Sequence, residues 1–240
     1  MIESWLKLGK QSEMNQVVFK NAFFSLDFFK IKEQELFTHS IEKIVWKNAV
    51  KKDTILLDSY ELGDERFKEV QFFEVELRTQ EKFEQIHTLF QRAITFPLIV
   101  TFRFNGLMAF GGALKLYGEN GSVKKIVEST LTEFKQESHF EDLKEYISNR
   151  LRMENLKEFY MFIYNGLKAQ VLQEKSLSFK VDEDLDRRKA ILIEKEKLEK
   201  DIEILKKKLS KESHVSRKVS LGIELRGLQD KLITITKEGF

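Results

Sequence analysis

Acidic side chains alternate with apolar ones in one short segment, a pattern that could support metal-dependent chemistry. Glu74 and Glu76 lie two residues apart, Arg78 follows two residues later, and Asp58 lies upstream. Carboxylates on neighbouring strands can hold Mg²⁺ while an adjacent cation contacts a scissile phosphate, as in nucleases. A half-buried strand with its charges facing solvent produces the same string, because strand side chains alternate between two faces. We expect this structural role, with a metal-dependent nuclease as the alternative.

Six cationic side chains cluster on the two sides of a short serine-containing segment in the last quarter of the chain. They are Lys206, Lys207, Lys208, Lys211, Arg217 and Lys218. If two helices flank the segment, all six meet at one end of a hairpin. Such a patch can bind an acidic protein surface, or contact phosphates without reading base sequence. The alternative is a merely solvated helix end, where lysine is common because it favours helices and water.

The sequence lacks the other residue patterns that are typical of catalytic and metal sites. The four histidines lack the His-Glu-x-x-His spacing of zinc enzymes. The Gly111-Gly112 and Gly118–Gly121 segments lack the Lys-Ser/Thr that completes a phosphate-binding loop, and there is no Gly-x-Ser-x-Gly elbow. We therefore predict no catalytic residues, no metal and no cofactor, and we expect His87 to be a surface or packed residue of a helix.

Composition narrows the class of protein. The formal net charge of +2 is the difference between 41 basic and 39 acidic residues, so any nucleic-acid contact must be local. The chain has no cysteine, which excludes disulfides and cysteine-bound metals and fits a reducing compartment. The N-terminus lacks a basic region followed by an apolar stretch, and the apolar runs are too short to span a bilayer. We expect a cytoplasmic protein without a signal peptide or membrane contact.

Local periodicity predicts strands and helices in the first three quarters of the chain. Apolar alternation and turn signals predict strands over Ile41–Trp46, Thr54–Leu57, Phe73–Arg78, Leu98–Phe104, Leu107–Tyr117 and Lys124–Phe134. Asn105-Gly106 is the strongest hairpin signal. Helices are predicted over Lys32–Ser40, Thr79–Ile94 with Thr79 as cap, from a Ser138–Glu141 capping box to Leu151, and over Leu156–Leu167. Together these predict an α+β fold, a mostly antiparallel sheet with helices on one face.

The last quarter carries two apolar seams with helical spacing. The first comprises Ile191, Leu198, Ile202, Leu205 and Leu209, and the second comprises Leu221, Leu225, Leu228, Leu232 and Ile235. A polar break, Ser210–His214, separates two arms of similar length, which favours a C-terminal antiparallel coiled-coil hairpin. A single long helix in a parallel dimer is the rival. Only one of the 21 phenylalanines follows residue 179, so we divide the chain into an α+β body (1–179) and a helical hairpin (180–240).

Several short segments occur together in a pattern known from one bacterial family. They are Ile44–Trp46, Thr54-Ile55, Glu69–Leu77, Ala93–Val100 and Lys211–Leu225. Together they resemble the DUF4391 family, and the likeness runs from about Lys43 to the C-terminus. The chain departs from the family pattern at Leu56, where asparagine is usual, and at Ser213-His214, where a glutamine-containing string is expected.

The resemblance implies a context rather than an activity. Members of the family are encoded near helicases and DNA methyltransferases in restriction- or defence-like clusters. The resemblance therefore implies an accessory or adaptor protein of a bacterial DNA-handling or phage-defence system. Its hairpin would bind a larger helicase-like or methyltransferase-like partner. The alternatives are a metal-dependent nuclease, a direct nucleic-acid-binding protein, and a self-assembling structural protein whose hairpin seams pair between copies.

Overall fold

The computed structural model describes residues 1–24, 29–149, 153–175 and 178–238. The chain forms two compact units, a body over Met1–Glu174 and a second unit that begins at Lys175 and contains the hairpin. None of the helices in these described ranges is long and apolar enough to cross a membrane.

One sheet organises the body. The strands are β1 (Glu13–Val17), β2 (Ile41–Lys51), β3 (Tyr60–Leu62), β4 (Glu65–Phe67), β5 (Glu69–Leu77), β6 (Leu98–Phe104), β7 (Leu107–Tyr117) and β8 (Val123–Leu131). Six of them form a sheet in the order β1-β2-β5-β6-β7-β8, and β3 pairs with β4 separately. Every neighbouring pair is antiparallel except β5–β6, which is parallel. The predicted α+β class with a mostly antiparallel sheet is confirmed.

Helices pack on the sheet of the body, and two further helices form the second unit. In the body they are α1 (Ile2–Trp5), α2 (Asn21–Phe24), α3 (Ile31–Ser40), α4 (Lys52–Ile55), α5 (Phe83–Ala93), α6 (Glu141–Ser148) and α7 (Leu156–Glu174). In the second unit they are α8 (Leu185–Lys211) and α9 (Val215–Glu238). Two 3₁₀ turns, Lys10–Ser12 and Glu137–Phe140, precede β1 and α6. The connection between the parallel strands β5 and β6 is α5, as a parallel crossover requires.

Helices cover both faces of the sheet rather than the single face expected from the sequence. Two adjacent glycines of β7 show this, because successive strand positions point to opposite faces. Gly111 faces the ring of His87 on α5, whereas Gly112 faces Tyr160 and Tyr164 on α7. The sequence signal was ambiguous because the central strands are apolar on both faces.

Aromatic side chains fill the layers on either side of the sheet. On the α5 face, Phe90 packs against Phe37 of α3 and Phe102 of β6, with ring centroids 5.0 and 6.3 Å apart. On the α7 face, the Tyr160 hydroxyl donates to the backbone oxygen of Ala113 (2.7 Å) and accepts from its N–H (2.9 Å). This pair of bonds fixes α7 to β7, and burial raises the pKa of Tyr160.

Most predicted elements are present, and the differences have local causes. Asn105 and Gly106 both have positive φ (48° and 79°), as the predicted β6–β7 turn requires. Helix α5 begins at Phe83 rather than Thr79, because Thr79 Oγ1 instead accepts the N–H of Glu81 (3.1 Å) in a turn. Lys82, also with positive φ (56°), then precedes the helix.

Two other predicted boundaries are wrong. The expected strand Thr54–Leu57 begins inside α4, because Thr54 Oγ1 accepts the N–H of Lys51 (2.9 Å) and donates to its backbone oxygen (2.9 Å). Leu56 then adopts φ 57°, which ends the helix. The capping box of Ser138 does not form, since α6 begins at Glu141 after a 3₁₀ turn. Leu151, assigned to the same helix, lies outside the described residues.

Candidate functional site

The last two helices pack against each other as a hairpin, which confirms the prediction and excludes the single long helix. Helix α8 ends at Lys211, α9 begins at Val215, and Glu212–His214 joins them. Leu198, Ile202 and Leu205 of α8 are the buried members of the predicted first seam. The seam leucines of α9 are only half-buried, because two helices touch along one stripe each. We call the end of the hairpin that contains residues 206–218 the tip.

Glu212 shapes the turn at the tip. Its N–H donates to the backbone oxygen of Lys208 (3.1 Å), which ends α8. Its carboxylate oxygen Oε1 accepts the N–H groups of Ser213 and His214, both at 2.9 Å. The His214 backbone oxygen then accepts from Lys218 (2.9 Å), the first helical bond of α9. The only carboxylate of the tip is therefore engaged in making the turn.

The structure brings the six predicted cations to the tip, and all six are exposed. Lys207 pairs with Glu203 one helical turn away (2.6 Å), and both side chains lie largely in solvent. The other five make no ion pair with any residue that the structure describes. Six cations next to one occupied carboxylate form a strongly positive patch in a chain whose formal net charge is only +2.

Three of the six cations share a groove. An open groove of about 500 Å³ lies where α8 ends and α9 begins, and its lining includes Lys208, Lys211 and Arg217. Glu212, Ser220 and Leu221 also line it, so a carboxylate that is engaged in the turn, a hydroxyl and an apolar side chain accompany the cations. Lys206, Lys207 and Lys218 do not line the groove and lie around it. The groove offers an anionic group two or three cations together with one apolar contact.

The acids considered for a nuclease do not converge. Glu74 pairs with Arg103 across the parallel strands (2.8 Å), and Arg78 pairs with Glu42. Asp58 follows α4, where its carboxylate pairs with Lys52 (2.7 Å) and raises the lysine pKa by a hydrogen bond. Within the described ranges, no three histidine, aspartate or glutamate side chains are placed to hold a metal ion. Asp58, Glu74 and Glu76 therefore do not form the metal site that the nuclease hypothesis required.

A buried polar cluster between α5 and the sheet was not anticipated. Lys115 Nζ donates to the backbone oxygens of Ile94 (2.8 Å) and Phe96 (2.9 Å), and burial lowers its pKa to about 7. His87 is buried nearby, and burial together with the Lys115 charge lowers its pKa to about 3. The sequence did contain a sign of this burial. Strand side chains alternate between two faces, so Lys115 points to the same side of β7 as Gly111 and Ala113, which is the side covered by α5. Lys115 holds the α5–β6 connection in place.

The fold and the tip together define an α+β domain followed by a two-helix hairpin with a cationic end. Over residues 6–232 the chain matches the family model described as "Domain of unknown function (DUF4391)", and it belongs to that family. The resemblance found in the sequence is thus confirmed over nearly the whole chain. No curated protein and no solved structure matches the chain.

Proposed function

We propose that this protein is a cytoplasmic accessory protein that docks onto an acidic surface of a larger protein through its hairpin tip. The observation that carries the proposal is the groove in which Lys208, Lys211 and Arg217 face solvent without ion-pair partners among the described residues. Unpaired cations in one groove can pair with carboxylates without first breaking internal ion pairs, so complementary charge gives both speed and specificity of association.

The kind of partner follows from the family context. The resemblance implies a helicase-like or methyltransferase-like partner, and the proposed role is that of an adaptor in a bacterial DNA-handling or phage-defence system. The half-buried leucines Leu221 and Leu225 lie close to the groove in sequence, so apolar contact can accompany the charge pairing. A partner that covers both the leucines and the groove would gain binding free energy from burying apolar surface as well as from forming ion pairs.

The test compares two triple variants of the tagged protein in its native host. The first, Lys208→Glu/Lys211→Glu/Arg217→Glu, reverses the groove. The matched control reverses two exposed α8 lysines and one exposed α9 arginine away from the tip, Lys197→Glu/Lys200→Glu/Arg226→Glu. Both triples change the net charge equally, so only a local docking site separates them. Co-purified proteins are quantified by mass spectrometry after nuclease treatment.

We expect recovery of the partner to fall at least about tenfold for the groove triple and to stay near wild type for the control. Recovery should also fall with rising salt, because exposed charges are screened beyond about 10 Å at 0.1 M. Equal recovery by both triples contradicts the proposal.

Two alternatives predict different results, one in this experiment and one in light scattering. Loss of all partners after nuclease treatment would favour direct contact between the tip and nucleic-acid phosphates. The hairpin also exposes aliphatic side chains, with Val219 at 58% and Ile223 at 70%, which supports self-assembly as the other alternative. A dimer whose fraction rises with protein concentration in light scattering would favour that reading.

A further inference from the structure

A pocket on the body is lined by cations and rings and, among the residues that the structure describes, by no carboxylate. It has a volume of about 300 Å³ and lies where four segments of the chain meet. The strand β4 and the residue after it supply Arg66 and Lys68, and the α5–β6 connection supplies Thr95–Pro97. Tyr117 at the end of β7 and Asn120-Gly121 in the β7–β8 turn complete the lining. A pocket of this size suits a small organic molecule.

Arg66 is held in the wall of this pocket with part of its guanidinium group unused. Its Nη2 donates to the backbone oxygen of Glu119 (3.2 Å), and its side chain is 27% exposed. A Cβ at Gly121, which also lines the pocket, would lie 3.4 Å from Nη1, so the turn packs directly against the guanidinium. Nη1 has no acceptor among the described residues and is not enclosed, unlike the hydroxyl of Tyr117. The structure therefore leaves a fixed N–H donor group open to the pocket.

Two further donors accompany Arg66. Nζ of Lys68 lies 3.2 Å from a carboxylate oxygen of Glu61, and the same carboxylate is 3.9 Å from Nε of Arg66. The two cations thus share one carboxylate that is itself outside the lining, and such exposed pairs are weak. Oδ1 of Asn120 accepts the N–H (3.1 Å) and the hydroxyl (2.7 Å) of Ser122, so its amide nitrogen remains as a donor. The pocket therefore favours an anion.

The other side of the pocket is apolar and held in place. Phe96 is 36% exposed, so part of its ring borders the pocket. Pro97, the only proline of the chain, fixes its own φ and restricts the backbone of the residue before it. Lys115 Nζ donates to the backbone oxygen of Phe96 (2.9 Å) and holds the same segment. A ring and a set of donors are thus presented in fixed positions around one small volume.

We propose that the pocket binds a nucleoside monophosphate, with its phosphate group at Arg66, Lys68 and Asn120 and its base against the ring of Phe96. A phosphate monoester has three terminal oxygens and a charge of about −1.5 to −2 at pH 7, so it can accept from all three side chains. The planar guanidinium matches the geometry of phosphate oxygens. Stacking on an aromatic ring is available to every base. The site lies in the body and does not depend on the docking role of the hairpin tip.

The test is calorimetric titration of the full chain with the common ribonucleoside monophosphates, the matching nucleosides and inorganic phosphate. We expect a monophosphate to bind at least about tenfold more tightly than its nucleoside, because hydrogen bonds to charged groups are the stronger ones. It should exceed inorganic phosphate by a similar factor, because phosphate alone cannot stack on Phe96. No binding by any monophosphate, or equal affinity for a monophosphate and its nucleoside, would overturn the proposal. Equal affinity for inorganic phosphate would overturn the contact with Phe96.

Variants locate the site. Arg66→Lys keeps the charge but loses the planar donor group, and it should weaken binding of the monophosphate by about tenfold. Lys68→Gln tests the phosphate contact independently, at a side chain whose 58% exposure makes a folding defect unexpected. Phe96→Ala should weaken binding of the monophosphate by about tenfold and leave the affinity for inorganic phosphate near wild type.

Two matched controls lie outside the pocket. Arg103→Lys changes a partly exposed arginine of β6, and Phe19→Ala removes a ring that is 78% exposed. Both should bind the monophosphate as the wild type does, and circular dichroism checks that each variant is folded. A loss in either control equal to that of Arg66→Lys or Phe96→Ala would overturn the assignment of the site.

Discussion

The body and the hairpin solve the burial of apolar side chains differently. In the body, Phe90, Phe102 and Tyr160 are fully buried, because a sheet between two helical layers encloses a side chain on every side. In the hairpin, Ile204 is 51% exposed and Ile223 is 70% exposed, since two helices can shield only the side chains along their shared stripe. The body thus has an enclosed core, although it also exposes Phe19 (78%) and Leu56 (92%), whereas the hairpin has only a partly shielded seam.

Charges show the same contrast. Partly buried ion pairs connect elements of the body, for example Arg92 with Glu33 (2.9 Å) and Lys157 with Glu65 (2.6 Å). At the tip, five exposed cations have no ion-pair partner among the described residues. These ion pairs connect strands and helices of the body, whereas the five cations of the tip face solvent.

Cavity-forming substitutions should show the contrast most strongly. We expect Phe90→Ala to lower the free energy of unfolding by about 3–5 kcal/mol, because the ring is enclosed by four aromatic neighbours and the cavity cannot collapse. We expect Leu225→Ala to cost about 1–2 kcal/mol, since the side chain is only half-buried. Urea unfolding measures both.

Two spectroscopic probes separate the units in that experiment. Both tryptophans, Trp5 and Trp46, lie in the body, so fluorescence follows the body alone. Far-ultraviolet circular dichroism also detects α8 and α9. Phe90→Leu serves as the conservative control and should recover most of the lost stability. Equal effects of Phe90→Ala and Leu225→Ala would show that apolar side chains are as fully enclosed in the hairpin as in the body, which would contradict the contrast between the two units.

The hairpin was predictable because its signals are local. Two leucine-rich seams and a polar break specify two arms and a turn without reference to any distant residue. The same holds for the tip, since its cations flank the turn in sequence. The β6–β7 turn was predictable for the same reason, because Asn105-Gly106 alone selects the conformation that both residues adopt.

The rest of the body depends on contacts between residues far apart in sequence. Strand β1 was missed because Glu13–Val17 is mostly exposed and lacks alternation, so only its pairing with β2 makes it a strand. The first half of β5 is buried on both faces, with Phe72 and Phe73 adjacent, whereas its second half alternates with Glu74 and Glu76. The alternation is typical of a strand with one solvent-facing side, and it favoured the wrong expectation of a single helical layer. Gln173 of α7 donates a hydrogen bond to Asp142 of α6, and helical periodicity gives no sign of that contact.

A pH series should separate the units by a smaller effect. Burial lowers the pKa of Lys115 to about 7 in the folded body, against an ordinary value of 10.5 in the unfolded chain. Between these values the unfolded state binds more protons, so the free energy of unfolding rises with pH. The slope is at most about 1.4 kcal/mol per pH unit. Urea unfolding followed by tryptophan fluorescence at pH 7, 8 and 9 measures it.

The substitution Lys115→Met tests whether Lys115 causes this pH dependence of the free energy of unfolding. It removes the titrating group while keeping a side chain of similar length, so we expect the pH dependence between pH 7 and 9 to flatten. Lys231→Met is the hairpin control, because its side chain is 57% exposed and pairs at the surface with Glu194 (2.8 Å). A slope that persists in Lys115→Met would contradict the assignment and point to another group in the body.

Glycine-to-alanine substitutions should change stability in opposite directions in the two units. A Cβ at Gly111 would lie 2.6 Å from two atoms of the His87 ring and 2.9 Å from Leu131, so Gly111→Ala should destabilise the body by about 1–3 kcal/mol. A Cβ at Gly222 of α9 would meet nothing within 4 Å. Gly222→Ala should therefore stabilise the hairpin by about 0.5–1 kcal/mol, because alanine has the higher helix propensity.

Thermal unfolding measures the glycine pair with the same two probes. The fluorescence midpoint should fall for Gly111→Ala, and the circular-dichroism midpoint should rise for Gly222→Ala. The substitution Gly227→Ala, where the added Cβ also has open space, should repeat the hairpin result. Gly222 and Gly227 lie about 140° apart around α9, so destabilisation by both substitutions would mean that another molecule packs closely around this helix in solution. The hairpin would then be a buried interface, and the tip alone would remain the free surface of the unit.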